Sequence, residues 1–446
     1  MSDSDYAGGA ASAGTGAAGP AAFPAHGQAA ADVLAEVRRS QDRDVDYRHG
    51  RNWAFTYYAG EELLDLLGRA YQLGMSANGL SGAAFPSLAR FEAEVLSWVT
   101  GLLGSTGDSG GSGGTGDSGG TGGEAGAMTS GGSESILLAV KTARDWARAQ
   151  GRPRAGRPGN VVASRSAHPG FAKAAHYLGL ELRRAALHDD QRADAAAMAA
   201  MIDADTVLVV ASAPSYPHGV VDDVPAIAQL AAGHGLPCHV DACVGGMVLP
   251  FARAIGAWDG PLPFEVPGVT SVSADLHKSG YTAKGASVVA YRTAELFGWQ
   301  SFAHDDWTGG RYEVPNLCGT RPGGAITAAW AALRYLGHDG YCELTRQALA
   351  ATAQLRDGLA GIDGLHVVGD PDINLLAIGD SRGRVRPIAR ELRRRGWVLG
   401  TQGDASRGEQ RSMHLTVTAG HLPYIGEFLH DLEEAAALAG AAELAR

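Results

Sequence analysis

Lys278 lies in a segment whose pattern suits covalent chemistry with an aldehyde. The run Ser271–Tyr281 begins as an apolar strand and ends in polar residues, with the lysine just beyond the strand. Ligand sites in α/β sheets lie beyond the carboxyl ends of strands, and a lysine there can form a Schiff base with an aldehyde cofactor. Taken alone, a lysine after a strand is more often a surface residue, so further features are needed.

A carboxylate and a histidine follow two other apolar runs. Asp241 ends the run Leu236–Asp241, where it could pair with a protonated pyridine nitrogen and keep that ring an electron sink. It could equally cap a helix, as an aspartate after a strand often does. His168 follows a strand predicted at Val161 and Val162, and it could stack on a pyridine ring or be an ordinary polar histidine.

A loop of small residues, Thr129–Ser135, opens an apolar helix. Its backbone N–H groups and hydroxyls could hold a phosphate at the positive end of that helix, although a plain capping segment would look similar. Phosphate loop, histidine, aspartate and lysine follow one another along the chain, each at a predicted strand end. This order is more specific than any one element, and it predicts pyridoxal 5′-phosphate as the cofactor.

The motifs resemble those of the fold-type I pyridoxal phosphate enzymes, and within them the group II decarboxylases and their sphingosine-1-phosphate lyase branch. The resemblance covers roughly residues 48 to 340 without the glycine-rich tract. It rests on segments at seven places in the chain: Phe85-Pro86, Phe91–Val95, Ser130–Ile136, Val240–Gly246, Gly268–Lys278, Tyr281–Gly285 and Gly319–Gly324.

The resemblance implies a role for each matching residue. Lys278 is the implied Schiff-base lysine, Asp241 the pyridinium partner and His168 the ring-stacking residue. It also implies a homodimer whose active sites lie at the subunit interface. The other implied contacts are with the cofactor phosphate (Gly132, Ser133 and His277), with the neighbouring subunit's site (Gly319 and Thr320) and with the substrate (Tyr57 and Lys284).

The chain departs from the family pattern at two places. Where the family has Asn-Pro-Leu-His-Pro-Asp, this chain has Asn78–Ala83, so that Ser81 replaces a histidine near the substrate's phosphate. Lys-Tyr-Gly-Tyr likewise becomes Lys278–Tyr281. The cofactor prediction is unaffected by these changes, whereas the substrate prediction is weakened.

The elements that must position these residues alternate between strand and helix from Met128 onward. Short apolar runs, typical of buried parallel strands, predict an α/β fold of the fold-type I transferase class, with a large doubly wound domain and a small C-terminal α+β domain. The predicted strands are 160–163, 207–211, 238–240, 269–273 and 287–291. The predicted organisation is a disordered tail (1–30), a helical segment (31–103), a flexible glycine-rich insertion (104–126), the cofactor domain (127–325) and the small domain (326–446).

Composition excludes several other classes of protein. The 446 residues carry a formal net charge of −11, which argues against nucleic-acid or anionic-membrane partners. The four cysteines have no zinc-site spacing and fit a reducing compartment. The N-terminal segment lacks the apolar core of a signal peptide, and no run approaches the roughly 18 apolar residues of a membrane span. We therefore expect a cytoplasmic protein without a bound metal.

The predicted reaction is a retro-aldol cleavage of a β-hydroxy amine, a small molecule with or without a phosphate. A base takes the hydroxyl proton, the Cα–Cβ bond breaks and an aldehyde leaves. The alternative is α-decarboxylation of an amino acid, because the bond that breaks is the one held perpendicular to the ring. A non-catalytic protein on the same fold is a third possibility, which the complete set of cofactor residues disfavours.

Overall fold

The computed structural model describes residues 23–105, 125–404, 406 and 408–444. Most of the tail predicted to be disordered, and all of the predicted glycine-rich insertion except 104–105 and 125–126, therefore lie outside the described residues. Within the described residues, no helix combines the length and the apolar character needed to cross a membrane.

The larger sheet confirms the predicted α/β fold class. Within the described residues it has seven strands in the order β1-β7-β6-β5-β4-β2-β3, and only β7 runs antiparallel to its neighbours. The strands are β1 (Ala125–Thr129), β2 (Asn160–Ser164), β3 (Glu181–Ala185), β4 (Thr206–Ser212), β5 (Cys238–Asp241), β6 (Val269–Ala274) and β7 (Ser287–Tyr291).

Five of these strands are the predicted ones, and two were not predicted. β2, β4, β5 and β7 are buried along their whole length, as strands of a sheet covered on both faces must be. β3 is an edge strand of largely charged residues, and β1 contains glycine and alanine, so neither shows an apolar run.

Helices cover this sheet. The helix predicted to begin at Phe85-Pro86 is confirmed, and its Leu88 and Val95 lie in the large core. The helix predicted over Ala325–Leu336 forms the first part of a longer helix, whose helical path is interrupted at Gly337, with a φ of 57°. The helices before the small domain are α1 (Ala30–Gln41), α2 (Glu61–Gly74), α3 (Pro86–Leu102), α4 (Gly132–Ala149), α5 (Gly170–Leu178), α6 (Ala195–Ala199), α7 (Val224–Gly233), α8 (Leu249–Ala254), α9 (Ala294–Gly298) and α10 (Gly323–Leu359).

The C-terminal part of the chain builds a second core around an antiparallel sheet in the order β10-β11-β13-β12. Trp53, from the N-terminal helical segment, stacks on His421 at 4.1 Å in this core, so that segment packs against both cores. The remaining elements are β8 (Phe302–His304), β9 (Tyr312–Val314), β10 (Leu365–Val367), β11 (Leu375–Asp380), α11 (Val385–Arg394), β12 (Gly400–Gln402), β13 (Ser412–Thr416) and α12 (Ile425–Leu444). The domain boundary at 325/326 stays a prediction, since α10 continues across it.

The strand directions bring the predicted site residues to one edge of the sheet. Asp241 pairs with Ser212 of β4 and Ser273 of β6, so these three parallel strands end side by side. Because β1 runs antiparallel to β7, and β7 antiparallel to β6, β1 also ends at this edge. The loops after β1, β2, β5 and β6 therefore meet, as the rule for open α/β sheets requires.

Candidate active site

A cavity of about 360 Å³ opens at this edge of the sheet. Its volume is in the range, from about 300 Å³ upward, that small-molecule sites occupy. Side chains or backbone from all four predicted cofactor motifs form its walls. They include Gly132, Ser133, His168, Asp241, His277 and Lys278.

The amine of Lys278 is held by a carboxylate inside the cavity. Its Nζ lies 2.9 Å from Oδ2 of Asp275, whose side chain is 2% exposed. Burial disfavours an ammonium, yet the ion pair outweighs burial and raises the pKa of Lys278 above its ordinary value. Burial likewise acts to raise the pKa of Asp275, but the charges of Lys278 and His277 hold that pKa below its usual range.

The loop between β1 and α4 is held by Glu134, a buried first-turn residue of the helix. Its Oε2 accepts hydrogen bonds from the backbone N–H of Ser130 at 2.7 Å and from the Ser130 hydroxyl at 2.6 Å. Its Oε1 accepts from the backbone N–H of Leu317 at 3.1 Å. One carboxylate thus ties the predicted phosphate loop to the segment that precedes Gly319 and Thr320.

Three hydroxyls connect the start of α4 to the end of β6. Thr129 Oγ1 lies 2.7 Å from Ser135 Oγ, which lies 2.9 Å from Ser287 Oγ. The Ser287 hydroxyl donates to the carbonyl of Ala274 at 3.1 Å. Since Asp275 follows Ala274, this chain of hydrogen bonds sets the position of the loop relative to the lysine segment.

Asp241 and His168 both face the cavity, and each has a local hydrogen bond that orients it. Asp241 Oδ1 accepts from the backbone N–H of Cys243 at 3.1 Å and from the Ser273 hydroxyl at 3.4 Å. His168 Nδ1 accepts from the backbone N–H of Gly170 at 3.0 Å, which leaves its proton on Nε2. Burial lowers the pKa of His168, so the neutral ring is favoured.

Tyr57 and Lys284 lie together beside the Lys278 segment. The Nζ of Lys284 donates to the carbonyl of His277 at 3.1 Å and stands 5.3 Å from the centre of the Tyr57 ring. Burial raises the pKa of Tyr57 to about 12, so its hydroxyl keeps its proton at neutral pH. Burial, together with the charge of Lys278, lowers the pKa of Lys284.

Ser81, Gly319 and Thr320 do not line this cavity in the single chain. Ser81 is exposed, and its Oγ accepts from the backbone N–H of Ala84 at 3.2 Å. Thr320 is also exposed, and its hydroxyl accepts a 3.3 Å hydrogen bond from Asn78. The loop that carries Ser81 and the loop that carries Thr320 are therefore joined to each other.

Sequence reasoning assigned no role to Asp275, Glu134 or Tyr216, all of which line the cavity. The position of Asp275, three residues before the lysine at a strand end, was a usable signal. Glu134 looked like an ordinary first-turn acid. Tyr216 gave no signal, because its contacts with His168 and His414, at ring distances of 6.5 and 4.2 Å, join distant parts of the chain.

The residues present fit a phosphate-bearing aldehyde cofactor. A Cβ at Gly132 would lie 2.8 Å from Asp275 Oδ2 and from Cys243 Sγ, so only glycine lets the loop approach the cavity floor. Asp275 Oδ1 is buried without a hydrogen-bond partner among the described residues, since the nearby Ser287 hydroxyl donates to a carbonyl instead. An anion loop and an amine therefore lie in one cavity, with polar capacity still unused.

Comparison with known proteins agrees with this reading. Residues 15–378 match the family model described as the pyridoxal-dependent decarboxylase conserved domain. The chain is 35% identical over 415 residues to sphingosine-1-phosphate lyase 1 of Rattus norvegicus, covering 92% of this chain and 69% of that protein. It is 30% identical over 414 residues to a probable L-aspartate decarboxylase of Thermococcus gammatolerans, covering 92% and 99% respectively.

A solved structure gives the same result for the fold. The sphingosine-1-phosphate lyase of Burkholderia pseudomallei superposes with a TM-score of 0.84 at 33% identity. The match covers 96% of this chain and 94% of that protein. The predicted fold class and the predicted family resemblance are both confirmed.

Proposed function

This chain belongs to the pyridoxal-dependent decarboxylase family and is a pyridoxal phosphate-dependent lyase; from this premise we propose that it cleaves the Cα–Cβ bond of a phosphorylated β-hydroxy amine. Pyridoxal phosphate, when bound, supplies a ring that takes up the electron pair left on the α-carbon. Lys278 would hold it covalently, while Gly132, Ser133 and His277 would hold its phosphate. Asp241 would pair with the ring nitrogen.

Three other side chains serve the reaction from the open side of the cavity. His168 would cover the face of the cofactor ring. Tyr57 keeps its proton at neutral pH and can therefore donate a hydrogen bond to the substrate. Lys284 provides a cation outside the cofactor phosphate loop.

The position of Lys284 is the observation that supports a phosphorylated substrate. Its Nζ is oriented by the carbonyl of His277 and lies over the Tyr57 ring, so a cation and a phenol are neighbours beside the Lys278 segment. A phosphate needs such a second anion site in addition to the one that the cofactor occupies. Sphingosine-1-phosphate, the compound that appears in the names of the relatives, is a phosphorylated β-hydroxy amine.

In the test, the holoenzyme is incubated separately with sphingosine-1-phosphate, unphosphorylated sphingosine and L-aspartate. Released aldehyde and carbon dioxide are measured for each compound. We expect aldehyde from the phosphorylated amine and little from the other two compounds. Lys284→Met should raise KM for the phosphorylated amine, whereas Lys173→Met, at an exposed site on α5, should not. Carbon dioxide from L-aspartate without any aldehyde would support the decarboxylase alternative, which the Thermococcus relative favours.

We also propose a homodimer with shared active sites. α1 has no buried residue, and its apolar side chains Val33, Leu34 and Val37 are 44–55% exposed. Such apolar exposure on one helix is typical of an interface. In this arrangement Gly319, Thr320 and Ser81 of one subunit reach the cavity of its partner.

Mixing two inactive variants tests the shared site. Lys278→Ala and Thr320→Trp are each expected to be inactive alone, whereas co-expression should restore activity because one site in each mixed dimer keeps both residues. A particle with the mass of one chain in light scattering, or no restored activity in a proven mixed dimer, would contradict the proposal.

We propose a cytoplasmic location for the enzyme. All four cysteines are free thiols, and Cys238, Cys243 and Cys342 are buried. Free thiols are usual in a reducing compartment. Fractionation of the native host, with immunodetection of the chain, tests this location.

A further inference from the structure

We propose that Asp275 makes the reactivity of Lys278 depend on an anion in the phosphate loop, by accepting the lysine's proton when that loop is filled. Asp275 is thus a positioning residue that selects for a phosphate-bearing aldehyde during cofactor loading. The inference rests on the role proposed above for Lys278 and goes beyond it, because it concerns the state of the lysine before the cofactor is attached.

The first observation is the ion pair itself. With Nζ of Lys278 2.9 Å from Oδ2 of Asp275, the unloaded lysine is an ammonium. An ammonium has no lone pair and cannot attack an aldehyde. The lysine therefore needs a proton acceptor, and Asp275 is the group already in hydrogen-bond contact with it.

The second observation is the contact between Asp275 and the loop. For a Cβ built at Gly132, the nearest atoms are Asp275 Oδ2 at 2.8 Å, Cys243 Sγ at 2.8 Å and Asp275 Oδ1 at 2.9 Å. An anion held by this loop thus faces the carboxylate, and two adjacent negative groups favour protonation of the carboxylate. Moving the proton from Lys278 to Asp275 brings positive charge towards the anion.

The third observation is that one oxygen of the Asp275 carboxylate is available to carry a proton. Oδ1 is buried and makes no hydrogen bond within the described residues, so a protonated carboxyl could donate from there. The charged and titratable groups that face it come from four parts of the fold: Lys278, His277 and Lys284 around the same turn, Cys243 after β5, Tyr57 from the N-terminal segment and His168 after β2.

The step is balanced without an added oxidant or reductant. The Lys278 ammonium gives one proton to Asp275, and the freed Nζ lone pair bonds to the aldehyde carbon. The aldehyde oxygen leaves as water, for which the amine supplies the hydrogens. The carboxyl of Asp275 keeps the transferred proton next to the loop anion.

The test uses the apoenzyme, pyridoxal as a phosphate-free aldehyde, and cyanoborohydride to trap the product on the lysine. Peptide mass spectrometry measures the rate of labelling at Lys278 against pH, with and without inorganic phosphate. In the native chain we expect phosphate to speed labelling at neutral pH at least about tenfold, the equivalent of one pKa unit.

Three variants complete the experiment. In Asp275→Asn, Lys278 should be labelled without phosphate, and added phosphate should not change the labelling rate. The pH midpoint of labelling should fall by about 1–3 pH units, the usual effect of removing a close opposite charge. Asp275→Glu should recover part of the phosphate dependence. Asp205→Asn removes a buried carboxylate paired with arginines at the opposite edge of the sheet, and it should behave as the native chain does.

Equal labelling of the native chain with and without phosphate would overturn the inference, as would phosphate acceleration in a folded Asp275→Asn. The native comparison needs no variant to fold. Failure of the role proposed for Lys278 is distinguishable, because it would appear as retention of the cofactor's visible band in Lys278→Ala, and failure of the proposed cleavage would appear as the absence of released aldehyde.

Discussion

Replacing Glu134 by alanine should weaken cofactor binding without changing the fold. The variant leaves the backbone N–H groups of Ser130 and Leu317 without their acceptor, and these two groups are 187 residues apart in the chain (317 − 130). The loop between β1 and α4 would then be ordered only when the cofactor binds, and the cost of that ordering reduces the affinity.

The magnitude follows from the hydrogen bonds lost. A hydrogen bond to a charged group contributes about 1.5–3 kcal/mol. If the free energy of the Ser130 bond alone must be supplied on binding, the dissociation constant for pyridoxal phosphate should rise about 10- to 150-fold, at 1.4 kcal/mol for each factor of ten. Glu134→Gln keeps one acceptor oxygen and should fall between the native chain and the alanine variant.

Titration of the apoenzyme with pyridoxal phosphate, followed by visible absorbance, gives these constants. Glu265→Ala is the matched control, because Glu265 also accepts from a nearby backbone N–H, that of Leu262 three residues earlier, but lies away from the cavity. An unchanged dissociation constant in a folded Glu134→Ala would refute the reasoning and show that the loop is ordered by the hydroxyl chain alone.

Three further variants test the site. Lys278→Ala should lose the visible band of bound cofactor while keeping its oligomeric state in light scattering; if the band persists, Lys284 is the next candidate. Asp241→Asn should retain cofactor but lose activity by about tenfold or more, the loss expected for a charged hydrogen bond; near-normal turnover would reduce Asp241 to a local turn residue. Ser81→His should raise kcat/KM for sphingosine-1-phosphate, by up to about 150-fold if a full charged hydrogen bond forms. Equal values for the two proteins would mean that this loop does not reach the substrate phosphate.

The positions of the cofactor motifs were predictable because each motif follows an element with a local signal. The apolar runs that end at Asp241 and before Asp275 are buried strands, and the burial that makes them apolar also makes them visible in the sequence. β3 escaped prediction because an edge strand with two arginines has no such run.

Substrate-side residues were harder to place. Tyr57 and Lys284 are 227 positions apart (284 − 57), and their contact depends on how the N-terminal segment crosses both cores. Ser81 and Thr320 lie on exposed loops that are joined through Asn78, and a single chain does not bring them to the cavity. A motif can name such residues, but it does not give the distance between them.

The sequence by itself determined the fold class, the cofactor and the order of residues at the strand ends, because hydrophobic periodicity and turn residues act over a few positions. Tertiary structure alone decided that Lys278 is paired with Asp275 rather than exposed to solvent, and that Glu134 joins the phosphate loop to Leu317. These contacts depend on which loops meet when parallel strands align at one edge. That alignment is a property of the packed sheet, and no local pattern contains it.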